Sequence, residues 1–407
     1  QEIQINRPQI GSEERAAGRS WKERPVAFLA TTNSLGGLER LSLRLAAKLR
    51  ERGADVKFFN APESPLSLQC RDLNFPQKQL TVKNSGDLSA AVKLAKYLVR
   101  DNIGILHVHS RRDFVPAVIA VKLSQCQLES RPKLVLHVHQ VRRLGTGGAF
   151  SDIFFNWGAD KVIAVSNAVK DKICCGSNLK ANLVDVLLNG VSEADFVSVN
   201  SQLGMKMRQK MKKHWQVDID VPVIGMVGKL DQKGQEFVAE AIPEILKHVP
   251  NAHFVFVGPG GHSDTIRDIT RRAKANGTYD RIVFAGVIKD LSEVYAAMDL
   301  FVHLPTDEAF GLAVAEAMAS SLPVIAGNVG GCTELVEHMR TGVLVEPRNK
   351  QQLVEAVSLI LSDNIGARRL RAELGNAARE RIENSFTLDR QVDNLSAIYT
   401  DIYSLGN

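Results

Sequence analysis

Residues Leu300–Ala326 read LFVHLPTDEAFGLAVAEAMASSLPVIA. A short, mostly apolar run, Leu300 to His303, meets Pro305 and a polar loop. An alanine-rich segment follows from about Gly311 to Ser320, and a second apolar run, Val324 to Ala326, closes the stretch. Brief apolar runs bounded by Pro and Gly read as strands buried on both faces, and the alanine-rich piece between them reads as a helix. Strand, helix, strand is the repeating unit of an α/β fold.

The same alternation extends outward from this unit in both directions. Val343 to Val345 follows it; Val221 to Val227, His253 to Val257 and Ile282 to Ala285 precede it, with amphipathic helices such as Gln235 to His248 between them. An earlier series comprises Pro25 to Ala30, Val56 to Asn60, Ile103 to His109, Leu134 to His139, Lys161 to Val165 and Val184 to Leu188. In that series Gly36-Gly37 turns the chain into a helix from about Leu38 to Arg52. A polar, Lys-rich segment with helical spacing, Ser198 to Trp215, separates the two series, and the tail from about Gln351 to Leu405 is almost wholly helical. Two Rossmann-like, doubly wound α/β domains facing across a cleft are the expected architecture. In such folds ligands sit beyond the carboxyl ends of the strands, so the chemistry belongs in the loops that follow them.

With 407 residues the chain is long enough for two domains that each bury a core. No apolar run is long enough to span a bilayer, and Gln1 to Arg24 is polar, without the apolar centre of a signal peptide. The sequence opens on Gln rather than Met, which leaves open what precedes it. Cys70, Cys126, Cys174, Cys175 and Cys332 form neither a C-x-x-C pair nor a zinc spacing, and such a scattered, odd set reads as reduced thiols in a cytoplasmic protein. Charge is uneven: residues 1–200 hold 28 Lys and Arg against 19 Asp and Glu, whereas the rest holds 23 against 26. A basic first half is expected to face something anionic. With aromatics at 6% and no basic run interleaved with them, nucleic acid is not the expected partner. Peripheral contact with an anionic membrane is an alternative to a solvated basic surface. It would use the helix Leu38 to Arg52, whose Leu38, Leu41, Leu45 and Leu49 form one buried stripe, together with Arg111-Arg112 and Arg142-Arg143.

The densest chemical signal is Asp307 to Ser320. A helix beginning near Gly311 presents free N–H groups and a positive dipole end at Gly311 to Ala313, which suits a phosphate. Glu308 precedes it and Glu316 lies about a turn and a half inside, so one carboxylate stands beyond each end of the phosphate site. A nucleotide diphosphate sugar, with hydroxyls at both ends and charge in the middle, fits that spacing. The bland alternative is a capping Glu308 and a solvated Glu316.

The segment resembles the E-x7-E motif of the family-4 retaining glycosyltransferases. Ser321-Leu-Pro-Val-Ile-Ala326, Gly330-Gly-Cys-Thr-Glu334-Leu-Val and Gly342-Val-Leu-Val345 are similar to the family's text in the same order. So are Gly225 to Gly234 (beside the family's G-R-L-x-x-x-K-G), Lys161 to Asp171, Leu187-Leu-Asn-Gly190-Val and Gly36-Gly-Leu-Glu-Arg40, which extends the resemblance over roughly residues 25 to 400. The resemblance implies the two-domain GT-B fold: a polar extension over residues 1–24, an acceptor-side domain over 25–200, a nucleotide-sugar domain over 201–388 and a helix over 389–407 crossing back to the first. It implies that Glu308 holds the donor sugar hydroxyls and Glu316 the ribose diol. Lys229 and Lys233 would neutralise the diphosphate, with Gly228 beside it and Gly311 and Leu312 donating backbone N–H bonds. The family's usual Arg is Lys229 here, a point charge in place of a bidentate fork.

His107-Val-His109 and His137-Val-His139 end consecutive strands, and residues two apart on a strand share a face. Four histidines suggest a metal site, yet no carboxylate or cysteine accompanies them at a ligand spacing. His107 and His137 are therefore expected to be buried and hydrogen-bonded. By resemblance His139 is directed at the donor sugar, and Gly36 and Gly37 line the cleft near the donor phosphates and the acceptor. No Asp-x-Asp is placed to hold a metal-bound diphosphate, so no metal or other cofactor is expected beyond a UDP- or GDP-linked donor.

The resemblance implies retaining, hexosyltransferase-type transfer to a sugar, glycolipid or other hydroxyl acceptor in glycan, polysaccharide or glycolipid synthesis. With no carboxylate clearly suited to a nucleophile, front-face attack is expected, the leaving phosphate taking the acceptor's proton. The rivals are a nucleotide-sugar isomerase or epimerase of the same fold, and a non-catalytic nucleotide-sugar-binding protein.

Overall fold

The computed structural model describes residues 20–33, 36–128, 130–142, 144, 149–192, 195–260 and 264–404. Arg143 and most of the polar extension fall outside them. In the first half, β1 (Val26–Ala30) leads through α1 (Gly37–Glu51), β2 (Val56–Asn60), α2 (Pro65–Asp72), β3 (Gln77–Gln79) and α3 (Leu88–Arg100) to β4 (Ile105–Val108). There follow α4 (Phe114–Ser124), β5 (Lys133–Val138), α5 (Ala149–Gly158), β6 (Lys161–Ala164), α6 (Asn167–Cys174) and β7 (Val184–Val186). These strands pair in the order β3-β2-β1-β4-β5-β6-β7, parallel throughout. The order changes direction between β1 and β4, so the crevice of this sheet opens beyond their carboxyl ends.

The lysine-rich segment forms α7 (Gln202–His214). The second half then runs through β8 (Val223–Val227), α8 (Gln235–His248), β9 (His253–Val257), α9 (Asp264–Ala275), β10 (Ile282–Gly286), α10 (Leu291–Ala296) and β11 (Leu300–His303). It continues with α11 (Leu312–Ala319), β12 (Val324–Gly327), α12 (Cys332–Leu335), β13 (Val343–Val345), α13 (Lys350–Leu361), α14 (Ile365–Ser385) and α15 (Leu388–Ser404). Its six parallel strands pair as β10-β9-β8-β11-β12-β13, with the switch between β8 and β11. The loops after those two strands carry the lysines and Glu308 that the sequence singles out.

Central strands such as β1, β8 and β11 are buried along their whole length, which is why they read as unbroken apolar runs rather than alternating ones. The last helix returns to the first sheet. Leu388, Val392, Leu395, Tyr399 and Ile402 of α15 join the core of Phe28, Leu45 and Leu49, each such side chain contributing about 1.5–3 kcal/mol by leaving water. Arg52 pairs with Asp389 at 2.7 Å and also with Asp393. Two elements that follow β2 carry no mark in the apolar pattern: α2, and β3, three polar residues at the sheet edge.

Candidate active site

The lysine loop is built by what glycine permits. Gly234 sits at φ +89°, and a Cβ there would lie 2.2 Å from the Leu304 carbonyl oxygen. Only glycine lets the loop press onto the end of β11, where the Leu304 N–H donates to Lys233 O at 3.1 Å. Gln235 braces both ends of the loop: its side chain accepts from the Lys233 N–H at 3.0 Å and donates to Lys229 O at 3.3 Å.

The Glu308 loop is cradled from the opposite side. Gly330 sits at φ +49°, with no room for a Cβ against the Glu308 carbonyl, and the Gly331 N–H donates to that carbonyl at 3.0 Å. The Glu308 carboxylate accepts from Lys233 Nζ at 2.7 Å and lies 2.7 Å from His303 Nε2. Burial pushes its pKa up, but the His303 and Lys233 contacts prevail and hold it at about 2. Glu308 is thus a fixed negative charge on the wall of a cleft of about 810 Å³, which it shares with His139, Gln140, Arg142, Lys233 and Arg348.

Other singled-out residues lie around this cleft. Lys229 is exposed and pairs with Asp231 at 3.2 Å; Asp231 itself lines the cleft. Gly228 ends β8 at φ +140°. Gly311 caps α11 at φ +98°, and Leu312 begins the helix. Glu316, one turn further on, receives the Tyr295 hydroxyl at 2.9 Å and lies 3.8 Å from Arg44 of α1. Burial raises its pKa, with Arg44 and Tyr295 opposing. Gly36 and Gly37 line an adjoining cavity of about 580 Å³ with His139 and Arg142, and Gly37 approaches Leu312 across the two halves. The structure therefore brings Lys233, Glu308 and His139 to one cleft and Gly36, Gly37 and His139 to its neighbour, whereas Glu316 stands apart against Tyr295 and Arg44.

The four histidines form a stack between β4 and β5. His107 and His137 are fully buried, 3.1 Å apart through Nε2 and Nδ1, and His107 Nδ1 meets the Tyr399 hydroxyl at 2.5 Å. His109 Nδ1 lies 3.2 Å from His139 Nε2 at the cleft edge. Burial drives the pKa of all four down, to about 3 for His107 and His139, so the rings are neutral near pH 7. Ring nitrogens of His107, His109 and His137 come within 4.8 Å of one another, but His107 bonds to His137 and His109 to His139, and the rings stack, with planes 13° apart for His107 and His109 and 25° apart for His107 and His137.

Sequence reading misses His303, Gln235, Tyr295 and Arg44. His303 closes an apolar strand whose direction brings its end beside the Glu308 loop, a signal the sequence does carry. Gln235 follows Gly234 directly and falls in the helix-start position where a side chain braces a loop. Tyr295 and Arg44 come from distant elements, and only the packing of α10 and α1 against α11 reveals them.

Residues 35–195 match the family model described as Glycosyltransferase Family 4, and residues 221–363 match the one described as Glycosyl transferases group 1. The chain is 27% identical over 380 residues to the N-acetyl-alpha-D-glucosaminyl L-malate synthase of Bacillus anthracis, covering 91% of this chain and 95% of that protein. It is 24% identical over 394 residues to the UDP-Gal:alpha-D-GlcNAc-diphosphoundecaprenol alpha-1,3-galactosyltransferase of Escherichia coli, covering 93% and 97%. Its fold is similar to the crystal structure of HepE from Anabaena in complex with UDP-glucose, with a TM-score of 0.79 at 21% identity over 93% of this chain and 99% of that one.

Proposed function

We propose, for a chain that is a glycosyltransferase of the family-4 type, that it moves a hexose-type sugar from a nucleotide diphosphate sugar to an acceptor hydroxyl with retention at the anomeric carbon. The observation that carries this reading is the Lys233–Glu308 pair, 2.7 Å apart on the wall of the cleft at the switch point of the second sheet. A cation and a carboxylate fixed side by side suit a ligand whose diphosphate adjoins a polyhydroxyl ring. Lys233 and Lys229 meet the diphosphate, the start of α11 adds its free N–H groups at Gly311 and Leu312, and Glu308 accepts from the sugar hydroxyls. Glu316 takes the ribose diol. UDP-glucose in HepE supports a UDP-linked donor, with a GDP-linked one as the alternative.

The acceptor hydroxyl oxygen bonds to the anomeric carbon on the face from which the nucleotide departs. The bond from that carbon to the phosphate oxygen breaks with its electrons, and the acceptor's proton passes to the leaving phosphate. Lysines already in place stabilise the charge that builds there. Neutral His139, its Nε2 engaged by His109, lines the wall of the cleft. No divalent ion enters the scheme, because the lysines and the helix start supply positive charge.

Among the described residues no helix is long and apolar enough to cross a membrane. Three of the basic residues sketched for a leaflet meet partners within the protein: Arg44 pairs with Asp195 at 3.3 Å, and Lys48 and Arg52 with Asp389. Any contact with an anionic surface then falls to the other basic residues of the first half.

Thermal stabilisation by a panel of nucleotides and nucleotide sugars, followed by turnover of the tightest with and without acceptors, tests the reading. Nucleotide release that requires an acceptor and yields a glycoside is expected. Conversion of the donor sugar without any acceptor would make the protein an isomerase instead, and binding without turnover a nucleotide-sugar receptor.

A further inference from the structure

Glu334 ends the Gly330-Gly-Cys-Thr-Glu stretch that cradles the Glu308 loop, and its side chain reaches the other half of the molecule. One carboxylate oxygen accepts from Asn167 Nδ2 at 2.7 Å, the other from the Ala168 N–H at 3.2 Å. Both donors belong to the first turn of α6, where the Ser166 hydroxyl already takes the Val169 N–H at 3.1 Å. A helix start leaves its first N–H groups without partners inside the helix and carries a partial positive charge. Here a carboxylate of the second half supplies one of the missing partners to a helix of the first. We infer that Glu334 is a positioning residue: its carboxylate clasps α6 and holds the Glu308 loop against the strand end that carries His139, so that the sugar of the donor is gripped between the halves. This rests on the donor reading above and adds to it a residue that touches neither substrate.

On the side of the second half, Glu334 is joined to Glu308 through backbone. The Glu334 N–H donates to Gly331 O at 3.1 Å, and the Gly331 N–H donates to Glu308 O at 3.0 Å. A Cβ on Gly331 would lie 2.3 Å from Phe310 Cα, so α12 and the Glu308 loop lie backbone against backbone and shift as one piece. Arg381 of α14 holds that piece from behind, donating to Glu334 O at 2.8 Å and to Leu335 O at 2.6 Å. On the side of the first half, β5 pairs with β6 in the register Val138 to Ala164. That register sets His139 beside Val165, two residues ahead of Asn167. The clasp thus crosses between the halves within a few residues of both Glu308 and His139, which line one cleft. It lies at the solvent-exposed rim, where it can part and re-form without opening a core. In the donor reading a bare nucleotide meets Lys229, Lys233, the start of α11 and Glu316, all of the second half, whereas the sugar lies between Glu308 and His139. Loss of the clasp should therefore fall on the sugar and spare the nucleotide.

The test is a swap of polarity across the contact. Asn167→Asp sets a second carboxylate against Glu334 and should part the halves, and Glu334→Gln loses one of the two hydrogen bonds. In the double variant the new amide donates to the new carboxylate while its oxygen still accepts from the Ala168 N–H, so both bonds return. Titrations compare UDP with UDP-glucose and GDP with GDP-mannose. In Asn167→Asp the sugar nucleotide that wild type binds should lose about tenfold in affinity, the scale of a hydrogen bond to a charged group, with the bare nucleotide within about twofold. The double variant should return to within about threefold of wild type, the non-additivity expected of two residues in contact. Small-angle X-ray scattering without ligand should give Asn167→Asp a larger radius of gyration than wild type or the double variant. All three variants should melt within about 4 °C of wild type, because Arg381 keeps α12 in place through its main chain. An Asn167→Asp protein that matches wild type in scattering or in sugar-nucleotide affinity would overturn the inference. So would a double variant no better than Asn167→Asp, or an equal loss of affinity for the bare nucleotide. Wild-type protein that binds none of the four probes would sink the donor reading instead, and the scattering comparison would then decide the clasp by itself.

Discussion

Glu308→Gln preserves the size of the side chain and the loop that carries it, and removes one negative charge between Lys233 and His303. The wild-type carboxyl is held at about 2 against an ordinary 4.5, a difference worth on the order of 3 kcal/mol in favour of the charged form. Because burial opposes ionisation, the attraction from the two neighbours exceeds that net figure. The folded value lies below the unfolded one, so the stability it lends is fully present above about pH 4.5 and is lost as pH falls toward about 2. Melting curves of wild type and variant should therefore differ most near neutrality and draw together between about pH 4.5 and about pH 2. In the variant Lys233 is released to a phosphate ligand, so UDP or GDP should bind as tightly as to wild type or more so. Sugar transfer should nonetheless fall by about a hundredfold or more, the scale of losing one catalytic polar contact. Calorimetric titration with both nucleotides and initial rates with the turned-over donor measure the two effects. A melting difference that stays constant from neutral pH down to acid, or transfer at the wild-type rate, would refute the reasoning.

Lys233→Ala and Lys229→Ala should both weaken binding of the nucleoside diphosphate and slow its release from the sugar. Lys233 is the costlier loss, on the order of 3 kcal/mol, because it is part of the Glu308 pair, whereas Lys229 is 53% exposed; equal, negligible losses in nucleotide titrations would place the phosphate site elsewhere. Glu316→Ala should chiefly lower nucleotide affinity and leave kcat near wild type, since the ribose is remote from the breaking bond; an unaltered dissociation constant counts against that role. Transfer assayed in excess EDTA should proceed at the untreated rate, and a complete loss restored by added metal would redirect attention to the nitrogens of His107, His109 and His137.

Much of the architecture is legible because parallel strands buried on both faces leave a blunt mark. Val56–Asn60, His253–Val257, Leu300–His303 and Val343–Val345 begin and end where their apolar runs do. Gln77–Gln79 leaves no such mark: an edge strand of three polar residues pairs through its backbone on one side only, and side-chain pattern says nothing of it. Glu308 and Lys233 could be named from their motifs, and the structure brings them to one cleft. Their union at 2.7 Å could not, because it depends on where Gly234 lets one loop lean against the strand that carries the other. The Arg44–Glu316 approach was illegible for a similar reason, since it joins residues far apart in sequence through the packing of α1 on α11.

The carboxylate proposed for the sugar and the lysine proposed for the diphosphate are bound to each other at 2.7 Å, and this has a consequence for donor binding. A bare nucleotide must pull Lys233 from Glu308 and leave a carboxylate, 11% exposed, with only His303 beside it. A free sugar meets a Glu308 oxygen already taken by Lys233. The intact donor exchanges both at once: its phosphates replace the carboxylate on the lysine, and its hydroxyls replace the lysine on the carboxylate. Nucleotide and sugar should therefore bind with positive coupling, on the order of 1–3 kcal/mol, a factor of about 5 to 150. In titrations of UDP with and without saturating glucose, or of the sugar and base that the nucleotide panel selects, the dissociation constant of each should fall when the other is present. Glu308→Gln should abolish most of that coupling, because the pair that enforces it is gone. Independent binding of the two halves to wild-type protein would mean that the Lys233–Glu308 pair yields without cost, and that the donor meets these two residues separately.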